Sequence, residues 1–364
     1  MAIRRLAIIG TGLIGASIGL AAKRAGVERV TGFDAEPEIA SAALERGAID
    51  EVTPDLDAEL VVVAVPVAQL PGKVRDVLES GGDATVTDVG STKSAVVDAA
   101  GGDPRFVGGH PVCGSEARGP AHATPEIFHD ATWFLTPIAA THPDRYRALH
   151  GFVTSLGAVP VAIDPGAHDR LVALTSHLPH VLANVLLNQA GATRVEGHDP
   201  LAAAGGSLRD MTRVAGANPR IWVDIFLDNA EALRDALEEH RRRIEQVEAA
   251  LDAGDAGFLA RWIGEAATNR RGMLADAYPD PGDLHRLRVH VPDRPGVLAG
   301  ITQALGAERI NIEDFELRHV SAERGGTLTL LVAGAGEAER AATLLEAQGY
   351  GVVVAPVLGD AHED

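Results

Sequence analysis

"LAIIGTGLIGASIGLAAKRAG", residues 6–26, decides the first fold in this chain. Its opening, Leu6 to Ile9, is short and apolar, as a buried parallel strand requires. The run passes directly into Gly10-Thr11-Gly12-Leu13-Ile14-Gly15, after which apolar residues recur at helical spacing. A lone G-x-G-x-x-G is a weak signal. Here a strand precedes it, a helix follows, and "RVTGFD" ends in an acid, Asp34, about 20 residues further on, so it reads as a dinucleotide-binding turn. Gly10 permits the tight turn, Gly12 lets backbone N–H groups approach a pyrophosphate, and Gly15 lets helix and strand pack closely. The positive helix end then faces the phosphates. Asp34 accepts hydrogen bonds from the adenine-ribose hydroxyls and repels a 2′-phosphate, so NAD is expected over NADP.

Working outward, "ELVVVAVP" (59–66), "ATVTDVG" (84–90), "RFVGGH" (105–110), "TWFLTP" (132–137) and "GAVPVAI" (157–163) alternate with helical stretches. That alternation predicts a doubly wound parallel sheet of Rossmann type over residues 1–164. Ligands in such sheets bind beyond the carboxyl ends of the strands. Three segments end there: Val65-Pro66, "DVGSTKS" around Ser91, and His110 within "GGHPVCGSEARGP" (108–120).

From about residue 165 to 280 the pattern is helical. "HDRLVALTSHLPHVLANVLLNQAG" (168–191) is apolar almost all round, which predicts a buried helix, kinked by Pro179 between His177 and His180. "GGSLRDMTRVAGANPRIWVDIFLDN" (205–229) carries Arg209 and Arg213 at i, i+4, hence on one helical face. Leu233, Leu237, His240, Ile244, Val247 and Leu251 form a heptad-like seam, and the whole segment suggests a dimer. Arg241 to Arg243 read as a solvated face without function. "YPDPGD" (278–283) is a linker. Residues 284–357 then read strand, helix, strand, hairpin at Gly325-Gly326, strand, helix, strand: the βαββαβ pattern.

The chain has 364 residues, so two or three domains are expected. Its formal charge of −19 argues against nucleic acid or an anionic membrane as partner. It does not argue against a small anion, because local arginines override a global field. One cysteine excludes an internal disulfide and fits a reducing cytoplasm. "RRLAIIG" superficially resembles a twin-arginine signal, but a strand and glycine turn explain the same letters, and no uninterrupted apolar run approaches membrane-spanning length. A cytoplasmic protein is expected.

Residues 293–317, "DRPGVLAGITQALGAERINIEDFEL", resemble an ACT domain, the amino-acid-sensing module of biosynthetic enzymes. That resemblance implies a regulatory ligand near Asp293, Gly296, Val297, Asn311 and Ile312. With "GTGLIGASIG", "DVGSTK", "GGHPVCGSEARG" and "SHLPHVLA", nearly the whole chain resembles the prephenate/arogenate dehydrogenase family. Cys113 stands where that family commonly has Ala. The implied reaction is NAD⁺-dependent oxidative decarboxylation of a cyclohexadienyl ring to a phenol, with prephenate as first expectation, arogenate as alternative, and feedback by an aromatic amino acid such as tyrosine. By the same resemblance His110 is the base and Ser91 bonds the reacting hydroxyl and orients the imidazole. Arg213 binds a substrate carboxylate, and Arg209 holds a position where relatives often carry Lys. Ser115 and Glu116 lie beside the substrate side chain, and Trp222 lies at the pocket edge. Which of His177 and His180 meets substrate is left open. Lys93 is near the site and otherwise reads as a surface lysine.

Three other readings compete. Zinc held by His110-x-x-Cys113 and His177-x-x-His180 is disfavoured, because Pro111 and the glycines suit a different loop and alcohol oxidation by NAD⁺ needs no metal. A β-hydroxyacid-type dehydrogenase needs a lysine base on its helical domain, yet Lys23, Lys73 and Lys93 all precede it. A non-catalytic sensor gives no reason for Ser91, His110 and Arg213 together.

Overall fold

A computed structural model describes residues 3–113, 117–275, 283–321 and 325–357. Ser115, Glu116 and most of the expected linker lie outside these residues. The chain divides into two compact units, residues 1–243 and 244–364.

The first unit opens with β1 (Arg5–Ile9), α1 (Leu13–Arg24), β2 (Arg29–Phe33), α2 (Pro37–Glu45), β3 (Leu60–Val63), α3 (Leu70–Glu79), β4 (Thr85–Asp88) and α4 (Ser94–Ala99). Four strands pair in parallel in the order β2-β1-β3-β4. Both faces are buried, and strand periodicity sorts the side chains between them. Leu6, Ile8, Leu60 and Val62 pack with Ala16, Ile18 and Ala22 of α1. Ala7, Ile9, Val61 and Val63 pack with Leu70 and Val74 of α3 and Val96 and Val97 of α4. Each fully buried Val, Leu or Ile contributes about 1.5–3 kcal/mol.

The sheet continues through a parallel bridge between Val86 and Phe106 into β5 (Gly108–Pro111), β6 (Thr132–Thr136), α5 (Pro143–Ser155) and β7 (Val159–Ala162). Here the structure departs from an all-parallel sheet: β6 runs antiparallel to β5 and parallel to β7. The described part of the β5–β6 connection holds only two short 3₁₀ turns, Pro120–His122 and Pro125–Phe128. Without a crossover helix the chain returns antiparallel.

The helical part begins with α6 (Pro165–Val172), capped by the Asp164 carboxylate on Ala167 N–H at 2.9 Å, and α7 (Leu178–Ala192). Between them residues Ala173–His177 form a π turn in which Leu178 N–H reaches Ala173 O. Pro179 has no N–H to give the preceding turn, and the wider turn absorbs that loss. The expectation of a helix buried on all sides is corrected: Leu174 is 60% and Val185 56% exposed, because one chain covers only part of the apolar circumference. Joined, Pro165–Ala192 is 28 residues long and apolar enough to cross a bilayer by length and composition. His168, Asp169 and His177 within it are nevertheless buried and hydrogen-bonded inside the unit.

Next come α8 (Gly206–Met211), α9 (Pro219–Asp228) and α10 (Ala230–Ala253). α8 stops at Thr212, whose hydroxyl bonds Leu208 O at 2.7 Å, and Arg213 begins a 3₁₀ turn. Arg209 and Arg213 therefore do not share one helical face as predicted. The division between the units falls within α10. Arg242 and Arg243 pair with Glu239 on its exposed surface.

The second unit holds the end of α10, α11 (Ala256–Ala275), β8 (Leu284–Val291), α12 (Val297–Ala307), β9 (Asp314–Ser321), β10 (Gly325–Ala333), α13 (Ala335–Ala347) and β11 (Gly351–Pro356). The antiparallel sheet runs β11-β8-β10-β9. Leu287, Val289, Leu328 and Leu330 pack against Ile301 and Leu305 of α12 and Ala341 and Leu345 of α13. Phe315 and Val353, in contrast, are exposed.

The glycine turn yields a stability test. A Cβ on Gly15 would lie 1.9 Å from Gly10 O, whereas one on Gly12 meets nothing within 4 Å. Gly15→Ala is expected to cost about 2 kcal/mol or more in urea unfolding, and Gly12→Ala less than about 0.5 kcal/mol. Equal losses would refute the packing role of Gly15.

Candidate active site

The β1–α1 turn is built to receive an anion. Gly10 holds φ +93°, and a Cβ there would meet Ala64 O at 2.3 Å, so the turn lies directly against the end of β3. Thr11 is buried and gives its N–H to Asp34 Oδ2 at 2.8 Å, while Asp34 Oδ1 accepts Glu36 N–H at 3.1 Å. Gly12 caps α1 without a side chain, and Leu13, Ile14 and Gly15 open a first turn that contains no acid. The open N–H groups and the unfilled space beside Gly12 fit a pyrophosphate. Val65 and Pro66 follow β3 at the same edge, and the turn after them, Val67–Gln69, packs against α9.

At the neighbouring strand ends a buried ion pair fixes the backbone. Lys93, near the site as the motif implied and not at the surface, is fully buried and bonds Asp88, also fully buried. Lys93 Nζ additionally donates to Gly109 O at 2.6 Å. The Asp88 carboxylate accepts Gly90 N–H at 2.8 Å and Gly109 N–H at 3.1 Å. The pair thus clamps Gly109 from both sides, next to His110. Burial lowers the Lys93 ammonium below its ordinary value, with Asp88 opposing.

His110 is half-buried, and its Nδ1 lies 2.8 Å from His168 Nε2. His168 Nδ1 in turn lies 2.9 Å from Asp169 Oδ1. Ser91 does not orient this ring: its Oγ is buried and has no hydrogen-bond partner. Thr92 Oγ1, Trp133 Nε1 and Thr136 Oγ1 share that condition, so Ser91 is one of four buried polar groups that call for an explanation.

The helical segments supply the remaining wall. His177 is buried, and Asn229 Nδ2, 3.1 Å from its Nδ1, also donates to Asp169 O at 2.8 Å. Those donations leave His177 its proton on Nε2. His180 donates from Nδ1 to Ser176 O at 3.0 Å and stacks on Trp222 with ring centroids 3.5 Å apart. Trp222 also meets His177 edge-on. Arg209 and Arg213 are exposed, and Arg213 is close enough to bias His180 toward its neutral form. Sequence reasoning missed His168, Asp169 and Asn229. The one available signal was the dipeptide His168-Asp169 inside an otherwise apolar helix.

All three imidazoles favour the neutral state. Burial, then His168 and Lys93, hold His110 well below its ordinary pKa. Burial takes His177 to about 4, and burial also lowers His180. Burial likewise pushes the Cys113 thiol up to about 12, which makes it a poor metal-binding thiolate.

In the second unit Asp293, Gly296 and Val297 line a pocket with Val291, Leu317 and Leu328. Gly296 has φ +89° and open space where a side chain would be. Asn311 and Ile312 fall outside that pocket. Asn311 Nδ2 donates to Glu313 Oε1 at 2.8 Å, and Ile312 packs against the core.

The depressed imidazoles carry a sign for stability. Unfolded histidines bind protons near 6.5 while folded His177 resists until about 4, so the unfolded state gains protons first. The stability contributed by keeping the His177 ring neutral is fully present above about 6.5 and is lost as pH falls toward 4, and His110 and His180 act in the same direction. Urea midpoints should therefore drop between pH 7.5 and pH 5, roughly the upper part of this window and above ordinary carboxylate titration. A flat profile would contradict the assignment.

Comparison with known proteins identifies the family. Residues 18–162 match the family described as "Prephenate dehydrogenase, nucleotide-binding domain", 164–265 "Prephenate dehydrogenase, dimerization domain", and 285–349 the ACT domain. The prephenate dehydrogenase of Bacillus subtilis is 34% identical over 355 residues, 94% of this chain and 95% of that protein. The cyclohexadienyl dehydrogenase of Zymomonas mobilis is 31% identical over 291 residues, 75% of this chain and 97% of that protein. Among solved structures, prephenate dehydrogenase from A. aeolicus in complex with hydroxyphenyl propionate and NAD⁺ superposes with a TM-score of 0.69 at 28% identity, covering 75% of this chain and 99% of that one. Synechocystis arogenate dehydrogenase gives 0.66 at 28%, covering 73% and 98%. With matches that run from the nucleotide-binding sheet through the helical segment to the C-terminal module, the chain belongs to the prephenate dehydrogenase family.

Proposed function

We propose that this chain oxidatively decarboxylates prephenate to 4-hydroxyphenylpyruvate with NAD⁺, in the pathway toward tyrosine. The observation that carries the reading is His110, linked through His168 to Asp169 at the carboxyl edge of the sheet, near the strand end that bears the orphaned Ser91 hydroxyl. Bound NAD⁺ supplies the acceptor for the hydride that leaves C4. Gly10 to Gly15 hold its pyrophosphate, Asp34 its ribose, and Val65 and Pro66 border it. His110 removes the C4 hydroxyl proton, and Ser91 hydrogen-bonds the same oxygen. The C1–carboxylate bond then gives its electrons to the ring, carbon dioxide leaves, and His110 returns the proton to the phenolate. Arg213 anchors a carboxylate, with Arg209, His180 and Trp222 around it, His177 behind, and Ser115 and Glu116 toward the side chain.

In this reading residues 1–164 bind dinucleotide, 165–280 bind substrate and pair two copies, and 284–357 sense an amino acid. Exposed apolar residues such as Leu174, Val185 and Leu227 support a homodimer. The lone free cysteine suits the cytoplasm. Tyrosine in the pocket at Asp293, Gly296 and Val297, without Asn311 and Ile312, is the expected inhibitor. The likeness to an arogenate dehydrogenase supports a second reading, arogenate oxidised directly to tyrosine.

Both substrates, assayed with NAD⁺ by NADH absorbance, separate these readings, and turnover of neither would overturn both. His110→Asn is expected to lose ~10²-fold or more in kcat. Arg213→Ala should lose about 2 kcal/mol in kcat/KM, roughly 30-fold, chiefly through KM. Tyrosine should lower wild-type activity but not that of Asp293→Asn, and equal sensitivity would remove the regulatory assignment.

A further inference from the structure

Two residues outside every motif complete the surroundings of His110. His168 is fully buried on α6 and bridges His110 to Asp169 through hydrogen bonds of 2.8 Å and 2.9 Å. Asp169 is anchored at both oxygens: Oδ1 accepts Lys93 N–H at 2.7 Å and Oδ2 accepts Ser94 N–H at 2.8 Å. These are the residues that follow Ser91 in the chain.

The direction of each bond follows from the anchor. Burial alone would raise the Asp169 carboxyl, but bonds from His168, Ser94 and Lys93 outweigh it and hold it below its ordinary value, so it is ionised. A carboxylate only accepts, so His168 carries its proton on Nδ1 and offers the Nε2 lone pair. His110 must then donate from Nδ1, which leaves its Nε2 bare.

We propose that His168 and Asp169 are positioning residues that lock His110 in the tautomer able to accept the alcohol proton at Nε2 and stabilise the imidazolium that results. The inference rests on His110 being the base. In the step itself the substrate O–H bond breaks, an N–H bond forms at Nε2, and the same proton later returns to the phenolate oxygen. The groups facing His110 are His168 and Asp169 from α6, Lys93 after β4 and His177 from the π turn, with Asp88 behind and already paired to Lys93. His168, Lys93 and His177 disfavour a charged His110, and Asp169 favours it. Loss of the Asp169 charge therefore has a defined sign.

The test compares full-length wild type with Asp169→Asn, His168→Leu and His168→Gln. Asp169→Asn is expected to lose ~10²-fold or more in kcat with KM for both substrates within about threefold, because the wrong tautomer is no base. Its acid limb of kcat/KM should move to lower pH, a shift that a purely structural role would not produce. His168→Gln, whose carbonyl still accepts from Nδ1–H, should exceed His168→Leu. Wild-type kcat and an unmoved limb in all three would overturn the proposal. Should a variant fail to fold, ¹⁵N-histidine spectra of wild type, with the His110 signals assigned against His110→Asn, decide it: a bare Nε2 supports the relay and a protonated Nε2 overturns it. A wild type inactive on both substrates would sink the proposed function, while the spectrum still decides the tautomer.

Discussion

The buried pair between Asp88 and Lys93 is the constraint on which the site depends. Two ions out of water cost several kcal/mol each, and mutual attraction alone seldom recovers that. Here the remaining valences are used as well: the carboxylate accepts the N–H groups of Gly90 and Gly109, and the ammonium donates to Gly109 O. The ends of β4 and β5 are thereby tied at one point, with the Ser91 turn on one side and His110 on the other. Gly109 has no room for a side chain there, since a Cβ would fall 2.6 Å from Asp88 O.

That tie would hold a loop but would not orient a ring. Orientation comes from the helical segment, where His168 and Asp169 reach back to His110 and to the backbone of Lys93 and Ser94. Asn229 links the same network to His177. The nucleotide-binding sheet and α6 are therefore joined by a network of hydrogen-bonded, largely buried polar groups. Such a network specifies one arrangement, because any half-broken version leaves an unpaired charge or donor in low dielectric.

The electrostatics suit proton transfer from an alcohol. Burial keeps His110 and His177 neutral, while the charged groups nearby, Lys93, Asp88 and Asp169, are each held by partners. Outside this interior the apolar faces of the π turn, α7 and α9 are left partly uncovered, as the exposure of Leu174, Val185 and Leu227 shows.

Local sequence determined the elements and the glycine turn. Short apolar runs bounded by glycine and proline can form little else than buried strands, and G-x-G-x-x-G followed by Asp34 has a backbone geometry of its own. The βαββαβ order of the last segment was legible for the same reason. Tertiary structure decided what period and spacing do not encode: that β6 returns antiparallel, that an apolar helix is only partly covered, and that Arg213 leaves the helix of Arg209. It also decided that Lys93 is buried and that His168 and Asp169 stand behind His110, 58 residues away in the chain. Such contacts depend on which surfaces meet after the elements form, and a one-dimensional pattern carries no information about that meeting.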